Sequence, residues 1–533
     1  MPDSSRPTLP EIPAEAHTPL VDALLELLAW QARRLSELED EIHRLKNETR
    51  KPPPPPSHMD KQCDASDSSN QGKPRSKPGP KRRKTAHLVI HEERVVAPID
   101  LPDNCRFKGY RDVVVQDLQI RCHNTRFRLE QYETPEGRYL SGRLPEGISA
   151  GHWGSTLHSF ILYQYHHQHV TQPLLLEQLH SHGIDISSGQ LSRLLTEGER
   201  LGVFHQEKAS LLSAGLAVSS YIHADDTGAR HQGERGYCTH IGNELFAWFA
   251  STESKSRVNF LTLLGQGEQQ RYVLNAGAID YMAQHKLPKR LITLLETAEQ
   301  PGGLSTTTWE AWLDSLGMTG KRHRRITTEG ALMGGLLQQG IPTHMAVISD
   351  DAGQFNVFDH ALCWIHAERL VNRLIPSNDV QRKAVNWAQE CIWTLYADLK
   401  RYKQAPSPEQ ADEIRAYFDE FFQTRTDYAT LNAQLGRLAK NRDELLRVLD
   451  RPELPLHNNL SERDIRDYVK KRKISGSTRS EAGRRCRDTF ASLKKTCRKH
   501  DIRFWDYLVD RLSGSDNIPS LGETIRKAAA TCH

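Results

Sequence analysis

Tyr221-Ile222-His223-Ala224-Asp225-Asp226-Thr227-Gly228 decides the fold, because it reads as a strand whose exit carries two adjacent carboxylates. The apolar run Leu216-Ala217-Val218 lies upstream. Downstream, after a Gly-containing turn, Glu244-Leu245-Phe246-Ala247-Trp248-Phe249-Ala250 reads as a second strand, so a hairpin is expected. Two carboxylates at the end of a buried strand repel each other, and keeping both ionised is costly unless something positive neutralises them. A divalent metal would do so. The same arrangement recurs at Met345-Ala346-Val347-Ile348-Ser349-Asp350-Asp351, again an apolar run closed by an Asp pair. A third carboxylate, Glu462, sits in His457-Asn458-Asn459-Leu460-Ser461-Glu462-Arg463-Asp464-Ile465-Arg466, where Asn459 or Ser461 can cap a helix with Glu462 in its first turn.

Asp225-Asp226-Thr227, then Asp350 followed by Cys363-Trp364-Ile365-His366, then Asn458-Asn459-Leu460-Ser461-Glu462-Arg463 resemble the transposases of the insertion-sequence-66 family, a branch of the DDE transposases. The resemblance spans most of the chain. It implies an α/β fold with an RNase H-like catalytic core and helical insertions, in which Asp225, Asp350 and Glu462 are both catalytic residues and metal ligands. Two Mg2+ (or Mn2+) ions per active site are implied, Asp225 bridging them and Asp350 and Glu462 holding one each. Water would cleave at the transposon end, and the freed 3′-hydroxyl would attack target DNA. The first Asp of each pair is chosen because the family's catalytic Asp aligns there and because Asp226 occupies a place usually held by Glu. Asp226 and Asp351 are the alternates. Helper proteins of the same element are implied as partners.

At 533 residues, 37% hydrophobic and 26% charged, the chain is long enough for two or three folded units but polar for a single globule. No run approaches the roughly 18 to 20 apolar residues of a membrane span, and the N-terminus lacks a secretory pattern. A cytoplasmic, nucleoid-associated bacterial protein with no membrane partner is expected. The nine cysteines are scattered without a Cys-x-x-Cys pair, which indicates neither a disulfide framework nor an ordinary zinc ribbon.

Within residues 1–50, a heptad runs from 20 to 46: Val21, Leu28, Leu35 and Ile42 share one spacing, and Leu24, Gln31, Leu38 and Leu45 the other. It predicts a short coiled coil joining a homodimer or higher oligomer, the alternative being an amphipathic helix docked on its own chain. Residues 51–86 begin with Lys51 and five prolines and end in a basic run including Lys81, Arg82 and Arg83, a linker that cannot bury a core and attracts DNA phosphates. Residues 87–145 read as a small β module. Family members often bind zinc there, but Cys105 and Cys122, with His123, fall short of the roughly four ligands of a structural site, so no zinc is predicted. Residues 146–205 are helical with helix-turn-helix spacing, Gln190, Ser192 and Arg193 being the base-reading candidates; an ordinary helical hairpin is the other reading. The core spans 206–475, with insertions at about 262–337 and 370–450, and 476–533 is a basic helical region. Cys363 and His366, three apart, fit a buried thiol and a packed imidazole better than metal ligands.

Residues 462–499 carry fourteen Lys or Arg against five acids. Something anionic is expected to dock beside Glu462, with Arg463, Arg466, Lys470, Arg472, Lys473, Arg484 and Arg485 as the residues that touch DNA. A solvated helix face with pairs such as Glu462 to Arg466 is the plainer account, but it leaves the surplus unexplained. The expected function is therefore end binding, DNA strand cleavage and strand transfer. A catalytically inactive DNA-binding derivative and an RNase H-fold nuclease are the rivals.

Overall fold

The computed structural model describes residues 88–99, 105–145, 153–265, 272–299, 305–342 and 344–531. The heptad at 20–46 and the linker with Lys81, Arg82 and Arg83 lie outside them. The chain divides into two units, residues 1–117 and 118–533. In the first, the described residues form no helix or strand, and Val113 and Val115 are exposed. The second begins with a small hairpin, β1 (Gln131–Glu133) and β2 (Tyr139–Ser141). The β module expected over 87–145 is thus reduced, among the described residues, to this hairpin. The Val113–Ile120 run alternates like a strand, but Val113, Val115, Leu118 and Ile120 are all exposed.

Helices α1 (Ser155–Leu162), α2 (Gln172–Ser181), α3 (Ser188–Thr196) and α4 (Gly202–Val218) follow. Between α2 and α3 the chain turns at Gly183, φ +77°, and Ser187 closes a capping box with Gln190. Leu175, Leu179, Leu191 and Leu195 bury the inner faces of this pair.

A five-stranded sheet then forms from β3 (Tyr221–His231), β4 (Glu234–Gly242), β5 (Ala247–Thr252), β6 (Ala346–Ser349) and β7 (Asp359–Leu362), in the order β5-β4-β3-β6-β7. The first three strands are antiparallel; β6 and β7 join β3 in parallel. β3, which runs on past Asp225-Asp226 instead of ending there, and β6, which ends just before Asp350, are therefore direct neighbours. The apolar run Leu216–Val218 completes α4. The reading of the second strand needs correction. The second strand is β4, which is hidden from the apolar pattern because Glu234–Gly242 carries Arg235, Thr239 and His240; the clue is Gln232-Gly233, both at positive φ, a two-residue hairpin turn. Asp359–Leu362 forms the short parallel strand β7.

Between β5 and β6 stand α5 (Arg257–Leu264), α6 (Ala276–Gln284), α7 (Lys289–Thr297), α8 (Thr306–Ser315) and α9 (Lys321–Gln338). After β7 come α10 (Trp364–Asn372) and a helical block, α11 (Asp379–Tyr402), α12 (Pro408–Gln423) and α13 (Ala429–Lys440). Both stretches are helical among the described residues. The chain ends with α14 (Asn459–Ser475), α15 (Glu481–Lys499), α16 (Phe504–Ser513) and α17 (Leu521–Thr531). α14 packs on β3 and β4, and α15 on β5 and α4. Among the described residues no helix is long and apolar enough to cross a membrane.

Candidate active site

Strand register brings the two Asp pairs together. β3 and β6 pair Tyr221 with Ala346, Ile222 with Val347 and His223 with Ile348, and continuing that register by two residues brings Asp225 level with Asp350. Side chains alternate across a strand, so His223, Asp225 and Thr227 share one face and Ile222, Ala224 and Asp226 the other. α14 lies over the first face. Its Asn458 end bonds His223, Ser461 bonds His240 of β4 at 2.6 Å, and Arg472 near its far end bonds Thr227 Oγ1 at 3.2 Å. Glu462, in the first turn of α14, is thereby presented to the same face as Asp225.

Burial pushes the Asp225 carboxyl up to about 7, and the negative charges of Asp350, Asp226 and Glu462 push in the same direction, against a hydrogen bond from the Asp226 backbone N–H at 2.7 Å. Among the described residues no Lys or Arg forms an ion pair with Asp225 or Asp350. The alternates are differently engaged. Asp226 accepts from Thr239 Oγ1 at 2.5 Å and Gln354 Nε2 at 2.7 Å, with Lys255 at 4.0 Å. Asp351 is exposed and held by Arg437 and by Asn441 at 3.1 Å. The Asp225 and Asp350 carboxyls accept backbone N–H groups only, from Asp226 and Ala352, among the described residues.

Glu462 accepts from Arg369 at 2.9 Å and has His366 Nε2 at 3.5 Å, both from α10. Held this way, it does not close on the aspartates: among the described residues no three His, Cys, Asp or Glu side chains are grouped tightly enough to hold an ion. Three carboxylate donors without a paired cation on the two aspartates are nevertheless the chemistry that a hard divalent ion takes. His366, expected as a packed imidazole, lies between Glu462 and Arg369, and burial lowers its basicity. Cys363 is buried as expected.

The helix start also differs from its expected form. The cap position is Asn458, with neither Asn459 nor Ser461 capping, and the Asn458 side chain makes no bond to its own helix.

The basic block divides in two. Arg463, Arg466, Lys470 and Lys473 are exposed along one face of α14, and Arg485 is exposed on α15. Arg472 is bound to Thr227 and to the Gly228 carbonyl, and Arg484 pairs with Glu481 at 2.8 Å. Lys471, Arg487, Lys494 and Lys495 are buried. Lys471 donates to the Tyr165 carbonyl, Arg487 to Gly476 and Lys494 to His166, while Lys495 and Lys499 pair with Asp467 and Asp464, each at 2.9 Å. A large part of the surplus charge therefore serves the packing of α14 and α15 instead of a surface. Long aliphatic stems let these residues cross an apolar interface before their heads find acceptors. Gln190, a base-reading candidate by its spacing, uses its side chain on the Ser187 backbone N–H at 2.9 Å.

A sequence profile for the transposase IS66 family matches residues 343–485, which run from β6 to the first turn of α15 and include Asp350 and Glu462. A protein of Sinorhizobium fredii (strain NBRC 101917 / NGR234), described as uncharacterized protein y4jO, is 42% identical over 304 residues, covering 57% of this chain and 94% of that relative. Fold and similarity together define a DNA-modifying enzyme with a mixed α/β architecture. More particularly, the chain belongs to the IS66 family of transposases.

Proposed function

We propose that the chain binds the ends of a bacterial insertion sequence and catalyses metal-dependent cleavage and strand transfer, using Asp225, Asp350 and Glu462 on an RNase H-like core. The observation that carries the reading is the β3–β6 register, which sets Asp225 level with Asp350 beneath the helix bearing Glu462. The strand order, three antiparallel strands extended by two parallel ones, supports the RNase H-like assignment.

Asp225, Asp350 and Glu462 would hold Mg2+ or Mn2+, which when bound neutralises charge developing on the phosphate oxygens during an in-line displacement. To hold the ion Glu462 would give up its pair with Arg369, which would leave that guanidinium able to face a phosphate. Arg463, Arg466, Lys470 and Lys473 follow one another at intervals of three and four residues, so one helix face carries all four. The stripe is about 15 Å long, over which one strand of duplex DNA advances by about four phosphates. It starts at the residue next to Glu462.

The test pairs a cleavage assay in magnesium with titration of a terminal-end duplex at several salt concentrations. Asp225→Ala, Asp350→Ala and Glu462→Ala should each lose about a thousandfold or more in cleavage while retaining end binding. Replacing Arg463, Arg466, Lys470 and Lys473 together by Ala should weaken binding to all DNA and flatten the salt slope by roughly one unit for each phosphate-binding side chain removed. Normal cleavage by Glu462→Ala would refute the catalytic assignment, and an unchanged salt slope would refute the phosphate track.

A further inference from the structure

We propose that Asn458 is the positioning residue of this site, a single buried amide that sets the three acid-bearing elements against one another. The inference rests on the reading of Asp225, Asp350 and Glu462 as the metal-holding acids.

Asn458 is only 1% exposed, and all of its polar groups are used. Its Nδ2 donates to the Ala224 carbonyl at 2.9 Å, one residue before Asp225. Because Nδ2 is that donor, Oδ1 is the acceptor for His223 Nδ1 at 2.9 Å, which puts the imidazole proton on Nδ1. The Asn458 backbone N–H donates to Cys363 Sγ at 3.1 Å. The Cys363 N–H in turn donates to the Ser349 carbonyl at 3.0 Å, one residue before Asp350. Finally, the Asn458 carbonyl accepts the N–H of Glu462 at 3.2 Å. One residue thus reaches the neighbour of Asp225 directly, the neighbour of Asp350 through Cys363, and Glu462 itself.

An Asn at a helix start ordinarily turns its side chain onto its own helix, capping the free N–H groups of the first turn. Asn458 does not do so. Its amide is directed across to β3 instead, leaving helix stabilisation unused in favour of registering α14 on the sheet. Cys363 supplies the matching acceptor from the start of α10, which gives the buried thiol a role that needs no metal. Ligand geometry tolerates errors of only about 0.5 Å, and groups that orient metal ligands typically change metal affinity by about 10- to 100-fold when removed.

The experiment measures Mn2+ binding to the full chain without DNA by electron paramagnetic resonance, alongside cleavage as a function of Mg2+ and end-duplex affinity. Asn458→Ala should raise the Mn2+ dissociation constant and the half-saturating Mg2+ by about 10- to 100-fold, with end binding unchanged and cleavage largely recovered at high metal. Cys363→Ala should shift both in the same direction by less, and Cys363→Ser, which keeps an acceptor, should restore them. If Asn458→Ala does not fold, the cysteine pair decides. Asp225→Ala and Glu462→Ala serve as controls: were they to bind Mn2+ and cleave like the wild type, the metal-site reading itself would fall. If those controls lose metal while Asn458→Ala, or in its place Cys363→Ala, leaves both metal curves unmoved, only the positioning role is overturned.

Discussion

α14 carries Asp464 and Asp467 and, with Glu462, meets the aspartates of β3 and β6, and the protein treats these two groups of carboxylates in opposite ways. Asp464 and Asp467 are packed among His240, Lys495 and Lys499. Burial opposes ionisation of Asp464, but hydrogen bonds and charge from His240 and Lys499 hold its carboxyl well below the usual range. Asp225, on the strand that neighbours β4, is pushed the other way, up to about 7, by burial and by three other acids. The first group is neutralised by the chain itself, so its function is internal: it fixes α15 against α14 and β4. In the second group Glu462 pairs with Arg369 and Asp226 has Lys255 within reach, but among the described residues no Lys or Arg pairs with Asp225 or Asp350, and that is the place open to a cation from outside.

The most severe way to break this contrast is to unmatch the matched group. Asp464→Ala takes the carboxylate from Lys499 and from the buried His240 while Lys495 keeps Asp467, and denaturant unfolding should register a loss of about 3 kcal/mol. A stability unchanged within about 0.5 kcal/mol would mean that water reaches the pair freely.

Next in size is the reverse experiment. The folded-state pKa of Asp225 is raised, so the folded chain holds that proton more tightly than the unfolded chain, and stability is lost as pH rises through about 7. In the absence of metal, Asp225→Asn should match the wild type near pH 4 and become more stable than it above pH 7. The gain is bounded by about 4 kcal/mol and reduced by solvent screening. Parallel stability curves for the two proteins across this range would remove the electrostatic argument.

Magnesium should sharpen the contrast further. At about a hundred times its dissociation constant, a ligand of the folded state alone adds about 2.7 kcal/mol, so chelation should lower the melting temperature of the wild type but not of Asp225→Asn. Smallest of all, Lys473→Ala on the exposed stripe should leave stability within about 0.5 kcal/mol while still lowering DNA affinity. A large stability loss there would show that Lys473 belongs with the inward-facing lysines.

The three candidate acids are legible in the sequence because each is marked locally. Asp225 and Asp350 close apolar runs, and Glu462 follows residues that begin a helix. The strand β4 is not legible, since its polar residues are satisfied by partners distant in sequence: His240 by Ser461 and Asp464, Thr239 by Asp226. The basic block is legible as charge but not as direction. Lys470 and Lys471 are adjacent, yet one is exposed and the other is buried over the Tyr165 ring at 3.5 Å.

What the sequence determined alone is therefore the order and chemistry of the candidate site: an Asp at the edge of each of two apolar runs and a Glu at a helix start, because charge beside an apolar run is a short-range pattern, whereas β3 continues past Asp225 to His231. What only the tertiary structure decided is which member of the first Asp pair shares a face with α14, which cations face outward, and that Asn458 gives up capping its own helix to bond β3. Those outcomes depend on the register of β3 against β6, more than a hundred positions away in the chain, and on the rotation of α14 over the sheet. A shift of one residue in that register would turn Asp225 away and bring Asp226 in, and no local pattern distinguishes the two.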